Sequence, residues 1–370
     1  MRSGFGIGRK RLLGALFALG FVCGISYCII RDLFISDRGG EVEAIVTTSL
    51  SEKPLKGCEE KEYIRYADVM STAMKVIVHS KSRELAAKVT EAAIRRVAEI
   101  EKKMSRFAPD SELYRLNQSA YKEPFVASEE LFTVIERSLE FCRVSDGALD
   151  ITVVPLIDVY KKAALRGTPP MEGEIKDALK RIGWQKVLLD KERRSVKFAV
   201  EGMALDLGAT AKGYAVDCAL EVIKSLGIKH ALVEIGGEVS VCGAQADGKE
   251  WPIGIVDPRT SHRYLRRLGI KDGAIATSGN YRRYYKIGER QFSHIVNPRT
   301  GETSDSAVSV SVIAGDCFSA DALATAVSVL GPEQGLALIK KFAGVQALIL
   351  WKDESGEKTF ETDGFAEYAR

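Results

Sequence analysis

The sequence predicts a chain of mixed helices and strands that begins with a membrane-spanning segment. Three observations carry that expectation. Arg9, Lys10 and Arg11 precede an uncharged, mostly apolar run from Leu12 to Ile30, about 19 residues, the length a helix needs to cross a bilayer. From Tyr63 onward, stretches with helical apolar spacing alternate with short strand-like runs. Among them sits Leu205-Asp-Leu-Gly-Ala-Thr-Ala-Lys-Gly-Tyr-Ala-Val-Asp217, a short apolar run that breaks at Gly208 and passes into a helical pattern from Thr210. At 370 residues and 46% hydrophobic, the chain can bury one large core or two smaller ones. A net charge of +3 is too balanced to argue for nucleic acid or a strongly acidic partner.

The basic flank places the N-terminus inside the cell and the rest of the chain outside. A small-x-small site at Gly24-Ile25-Ser26 invites cleavage, but apolar residues continue to Ile30, so an uncleaved anchor is expected rather than a signal peptide. Bulky Val22 and Tyr27 precede Cys23 and Cys28, which makes both poor lipoprotein sites. The expected organisation is an anchor over 1–31, a polar linker over 32–62 and a folded domain over 63–370. Gly39-Gly40, the Thr47-to-Ser51 cluster and Lys/Glu pairs mark the linker.

Within the domain, Met74 to Val78 suits a strand. Glu84 to Arg106 is a long helical pattern built on Leu85, Val89, Ala92, Val97, Ile100 and Met104. Phe107 to Asn117 reads as a polar loop with a short helix. Ser128 caps a helix running to Val144, with Glu129 and Glu130 in its first turn. Ser145-Asp-Gly-Ala-Leu-Asp150 is a turn ending on a carboxylate, and Pro155 starts a further helix. Strands are expected at Lys186–Leu189, Ser195–Phe198 and Ala204–Leu207. His230 to Ile235 is a buried strand ended by Gly236-Gly237, and Trp251 to Val256 is another. Ala276 to Tyr284 leads through a hairpin to Phe292-Ser-His-Ile-Val-Asn-Pro-Arg-Thr-Gly301, and Asp316 to Leu330 is a helix.

The residues with chemistry in them are few. The turn before Thr210 resembles a strand–turn–helix start, which offers backbone N–H groups and a helix dipole to an anion, with Lys212 as a mobile cation beside them. An ordinary turn with a solvated lysine would show the same glycines, and the motif is neither Gly-x-Gly-x-x-Gly nor a P-loop. His294 sits at a strand end within reach of a cleft, where it is either a base or a structural hydrogen-bonder. Asp321, Thr325 and Ser328 follow i, i+4, i+7 spacing on a helix otherwise rich in Ala and Val. A carboxylate and a hydroxyl one turn apart suit a hard cation such as magnesium; a carboxylate there could equally cap a neighbouring loop. Seven cysteines and four histidines contain no Cys-x-x-Cys and no His-x-x-x-His, which argues against zinc. Cys142, Cys218, Cys242 and Cys317 lie in mostly apolar contexts that favour buried free thiols.

Taken in order, Ser145-Asp-Gly-Ala-Leu-Asp150, Asp206-Leu-Gly-Ala-Thr-Ala-Lys-Gly-Tyr214, Ile235-Gly-Gly-Glu238, Thr277-Ser-Gly, His294-Ile-Val-Asn-Pro-Arg-Thr-Gly301 and Ala320-Asp-Ala-Leu-Ala-Thr325-Ala resemble the flavin transferases of the ApbE family. The resemblance spans about residues 66 to 350. It implies an α+β fold, the ApbE-type flavin transferase fold with a T-fold-like core, behind the N-terminal membrane anchor. It also implies magnesium-dependent transfer of FMN from FAD to a threonine of a target protein, with release of AMP. By the same resemblance, Met70 and Phe107 line the flavin end, Phe107 standing where tyrosine is common. Ala148, Leu149 and Asp150 occupy a nucleotide-contact site in which Leu149 replaces an aromatic. Asp206 and Lys212 contact FAD, and Ile295 packs on it. Asp321, Thr325 and the carbonyl of Ala209 hold Mg2+, and His294 is the candidate base. The implied partners are FAD, the membrane and a target protein such as a subunit of a Na+-translocating NADH:quinone reductase or Rnf-type complex, met on the extracytoplasmic (periplasmic) side. Two alternatives stand beside this: a magnesium-dependent pyrophosphatase giving FMN and AMP from FAD, and a non-catalytic flavin-binding protein.

Overall fold

The computed structural model describes residues 47–260, 263–280 and 284–370. The expected anchor at Leu12–Ile30 and the first part of the linker lie outside the described residues. Along the chain, strands β1 (Ser51–Pro54), β2 (Lys61–Val69) and β3 (Thr72–Ser80) lead into helices α1 (Arg83–Met104) and α2 (Glu112–Ser119). Strand β4 (Phe125–Val126) is followed by α3 (Glu129–Val144), α4 (Val154–Arg166) and α5 (Glu172–Lys180), then β5 (Val187–Asp190), β6 (Ser195–Phe198) and α6 (Ala211–Ser225). Next come β7 (Ala231–Ile235), β8 (Glu238–Cys242), β9 (Trp251–Val256), β10 (Tyr264–Ile270) and β11 (Gly273–Gly279). The chain closes with β12 (Tyr284–Ile287), β13 (Arg290–Ser293), β14 (Ala307–Ala314), α7 (Cys317–Ile339), β15 (Gln346–Asp353) and β16 (Gly356–Glu361).

Among the described residues, nine strands form one antiparallel sheet in the order β1-β2-β3-β7-β8-β11-β14-β15-β16. Period-2 alternation divides its side chains between two cores. Val76, Val233, Ala276 and Val312 face a large core shared with α1, α6 and α7. Ile77, Leu232, Val239, Ile275 and Ile313 face a smaller one closed by Trp251, Leu268 and Phe365, from the β9–β10 ribbon and the C-terminal turn. A third cluster joins α4 and α5 to the β12–β13 hairpin through Leu156, Tyr160, Ile287 and Val296.

Most expected elements are present, and three differ. β1 lies inside the stretch expected to be linker: Ser51 pairs with Ile64 and Pro54 with Lys61, Thr47 bridges Ala67, and Leu50 is buried. An edge strand exposed along its whole length carries no apolar alternation, so it reads as polar linker. Ala204–Leu207 joins no sheet among the described residues. Its backbone is satisfied instead by the Asn117 side chain, which donates to and accepts from Leu205 at 3.0 and 2.8 Å, and by the Ile151 carbonyl, which accepts from Asp206 N–H at 2.8 Å. α7 runs past Leu330 to Ile339 with a break at Gly331, where φ is 77°, followed by Pro332. The glycine takes the left-handed conformation and proline starts a new turn, so one packed element holds two helical segments.

Candidate active site at one end of the sheet

Register places Met74, Ile235, Glu238, Ala276 and Val312 in one row across the sheet. Two hairpin turns sit side by side just beyond it. Met70 and Ser71 both take positive φ (49° and 62°), and Met70 N–H donates to Glu101 Oε2 at 2.7 Å. Gly236, at φ 67°, lies so close to Thr72 that a Cβ there would stand 3.0 Å from its side chain. Met70 is thus brought to the sheet end that also carries Glu238, Thr277 and Ser278.

Helices α6 and α7 cross over this end at close quarters. A Cβ on Gly213 would fall 2.7 Å from the Cys317 carbonyl carbon and 2.8 Å from Phe318 Cα. The close crossing lets each helix cap the other. Asp217 on α6 accepts the N–H groups of Cys317 and Phe318, both at 2.9 Å, and Asp321 on α7 accepts Gly213 N–H at 3.1 Å. Ser240 adds a third bond to Asp217 at 3.1 Å. Burial pushes Asp217 up to about 6, against the pull of those N–H donors.

The helix start is therefore not the open anion cradle that the glycine pattern suggests. Gly208 N–H goes to Asp206 Oδ1 at 2.7 Å, and the Thr210 and Ala211 N–H groups both go to the Leu207 carbonyl. Nor is Lys212 a mobile cation. Its Nζ is held by Glu238 Oε1 and stands 3.9 Å from Asp321 Oδ1. Asp321 and Glu238 are 2% and 3% exposed. Burial raises Asp321 above the ordinary carboxylate range, Lys212 opposes that rise, and the neighbouring charges of Glu238 and Asp217 add to it. Thr325 lies one turn along α7, its Oγ1 3.4 Å from Ser278 Oγ. Among the described residues, the carboxyl groups of Asp321, Glu238 and Asp217 lie around the Lys212 ammonium with hydroxyls alongside, hard oxygens of the kind that fit a divalent cation. Ala209 lies in the turn leading into α6.

Asp206 is fixed by Arg106, whose Nε stands 2.5 Å from Oδ2. The Arg106 guanidinium also lies over the Phe107 ring at 4.2 Å from its centre, and Lys161 Nζ approaches the same ring at 4.8 Å. Phe107 is 67% exposed, a large aromatic side chain at the surface with two cations over its ring. Ala148, Leu149 and Asp150 are all buried, Leu149 within the main core. The Asp150 carboxylate is taken up by Thr152 (N–H at 2.8 Å, hydroxyl at 2.6 Å) and by Trp184 N–H at 3.0 Å. These side chains hold the turn, so any ligand contact there would run through its backbone.

His294 follows β13 and is partly buried. Its turn is mounted at several points. Asp305 accepts Ser293 N–H at 2.7 Å, and the buried Ile295 accepts Ser304 N–H at 2.8 Å. Tyr160 donates to the Gly301 carbonyl at 2.9 Å, and Ser304 Oγ donates to the Ser328 carbonyl on α7. Arg299 reaches across to the carbonyls of Ser145 and Asp146 at 3.3 and 2.7 Å. The 294–301 turn thus joins α7 near Thr325 to the 145–150 turn. Sequence reading quoted Gly-Gly-Glu238, Arg299 and Asp217 inside motifs without giving any of them a role, and it named Arg106 only as the end of a helical pattern. Only position within a motif marked the first three; nothing in the sequence marked a role for Arg106.

Residues 70–349 match the model of the ApbE family. The chain belongs to that family. It is 33% identical over 279 residues to a FAD:protein FMN transferase of Vibrio cholerae, covering 74% of this chain and 82% of that protein. A FAD:protein FMN transferase of Treponema pallidum is 33% identical over 311 residues, 80% of this chain and 86% of that protein. The crystal structure of the ApbE protein of Thermotoga maritima superposes with a TM-score of 0.75 at 30% identity, covering 84% of this chain and 99% of that one. The mixed α/β architecture described above is the ApbE-type fold, and the family match begins at Met70 and takes in every residue of the candidate site.

Proposed function

We propose that this ApbE-family chain transfers FMN from FAD to a threonine hydroxyl of a target protein and releases AMP. The observation that carries the reading is the match to relatives named FAD:protein FMN transferase, over a region that includes the whole site. The reaction forms a bond between the threonine Oγ and the phosphorus of the FMN half, and breaks that phosphorus's bond to the oxygen of AMP. The threonine proton passes to a base, and AMP leaves as a phosphate monoester.

The side chains present suit those demands. Asp321, Thr325 and the Ala209 carbonyl are oxygens of the kind that hold magnesium, which when bound would neutralise charge developing on the pyrophosphate. Lys212 supplies a fixed positive charge beside them. Phe107, with Arg106 and Lys161 around it, offers a face to the flavin ring system. His294, on its braced turn, stands as the base for the threonine hydroxyl, a poor nucleophile at neutral pH. The N-terminal run would anchor the domain on the extracytoplasmic side, facing membrane-bound targets.

Hydrolysis of FAD in the same site, with water in place of threonine, is the second reading. AMP release measured by chromatography with and without an acceptor protein separates them. Transfer predicts that release depends on the acceptor and on Mg2+. Equal release in its absence would make the chain a pyrophosphatase, and no release at all would leave a binding protein.

A further inference from the structure

Glu238 stands in a row that is otherwise apolar. Its cross-strand neighbours there are Met74, Ile235, Ala276 and Val312, and the row faces the helix-side core. Placing a carboxylate in such a row is costly unless it has work there. Its Oε1 holds Lys212 Nζ, while its Oε2 is buried with no hydrogen-bond partner among the described residues. On the other side of the ammonium, Asp321 Oδ1 lies 3.9 Å away, beyond hydrogen-bonding distance, and Asp321 Oδ2 is committed to Gly213 N–H.

The ammonium therefore stands between two buried carboxylates and is bound to one of them. We infer that Glu238 is a positioning residue that draws the Lys212 ammonium off Asp321, so that Asp321 Oδ1 stays open to a divalent cation. The inference rests on the reading of Asp321 and Thr325 as the magnesium site. Without the Glu238 charge, the next carboxylate for Lys212 among the described residues is Asp321 itself. Lysine's flexible stem would let it close the gap and compete with the metal for the same oxygen. The Gly236-Gly237 turn fixes where Glu238 begins its strand, and Ser240, two residues on, is tied to Asp217, so the carboxylate is set by the sheet.

The test measures Mn2+ binding to the full-length protein by the EPR signal of the free ion, which needs no turnover. Glu238→Gln should raise the Mn2+ Kd about 10- to 100-fold, the usual effect of losing a residue that orients a metal ligand. In a Lys212→Met background the same change should move Kd by no more than about twofold, because no ammonium remains to compete. An unchanged Kd for Glu238→Gln overturns the inference. So does an equal loss in both backgrounds, which would make Glu238 a direct ligand. Should Glu238→Gln fail to fold by near-UV circular dichroism, Glu238→Asp replaces it: a Kd between those of wild type and the expected range supports the inference, and an unchanged one overturns it. Asp321→Asn serves as control. If it binds Mn2+ like the wild type, the metal reading itself has failed and the inference goes with it. If it does not, a negative result at Glu238 counts against the inference alone.

Discussion

Gly213→Ala tests the helix crossing on which the site is built. The added methyl would lie 2.7 Å from the Cys317 carbonyl carbon and 2.8 Å from Phe318 Cα, with the carbonyl oxygen nearer still. These are backbone atoms and cannot rotate away. To restore ordinary carbon contacts, α6 and α7 must part by roughly 1 Å. That opening stretches the Asp321 bond to Gly213, now 3.1 Å, and the Asp217 bonds to Cys317 and Phe318, now 2.9 Å. Overpacking costs about 1–3 kcal/mol, and each weakened cap adds about 1 kcal/mol. The better helix propensity of alanine returns at most about 1 kcal/mol. The net loss is about 2–4 kcal/mol, a fall in Tm of roughly 3–6 °C for a domain of this size. Thermal melts by circular dichroism measure it, with Gly173→Ala on α5 as control. No atom lies within 4 Å of the site a Cβ would take there, so that variant should melt at or slightly above the wild-type temperature. A Gly213→Ala protein melting within about 2 °C of wild type would refute the close crossing.

Three further outcomes follow from the site. Asp321→Asn keeps the shape of the side chain but removes its charge, so Mg2+-dependent AMP release should fall by orders of magnitude while FAD binding, followed by flavin fluorescence, survives in part. His294→Ala should slow transfer by about 10²- to 10⁴-fold with near-normal FAD affinity, and the deficit should shrink from pH 6 to 9 as hydroxide takes over part of the base's task. Weakened FAD binding with an unaltered pH profile would remove His294 as the base. The third outcome concerns Asp217, whose carboxyl titrates at about 6 in the fold against an ordinary 3.8. Between those values the folded state holds the extra proton, so this group's contribution to stability is present at low pH and is lost as pH rises through 6. The loss is about 3 kcal/mol. Urea titrations from pH 4 to 7 should show that slope in the wild type and not in Asp217→Asn; parallel curves would contradict it.

How much of this was legible in the sequence follows the range of the interactions. Local signals read well. Ser128 caps α3 through Leu131 N–H, Pro155 opens α4, and the apolar spacing from Leu85 to Met104 became α1. Signals that depend on a distant partner did not. Ala204–Leu207 has the composition of a strand, but its bonds go to Asn117, 88 residues away for Leu205, and to Ile151. Lys212 is fixed by Glu238 from a strand 26 residues on, and Asp217 by a helix start 100 residues on. Spacing within α7 showed that Asp321 and Thr325 share a face, and it left cation binding and capping equally open. In the structure one Asp321 oxygen caps α6 while the other faces Lys212, so capping does not displace the metal reading. The resemblance puts Leu149 in a nucleotide-contact site in place of an aromatic, and the structure buries its side chain in the main core, a placement set by tertiary packing that its own turn does not encode.

The central claim is that FMN moves from FAD to a protein hydroxyl, and the mass of the acceptor tests it most directly. The full-length protein is incubated with FAD, Mg2+ and a candidate extracytoplasmic acceptor, and the acceptor's intact mass is then measured, with fragmentation to locate the change. The account predicts a gain of one FMN, less water, on a threonine, with one AMP released for each acceptor modified. An acceptor of unchanged mass alongside free FMN and AMP would contradict it.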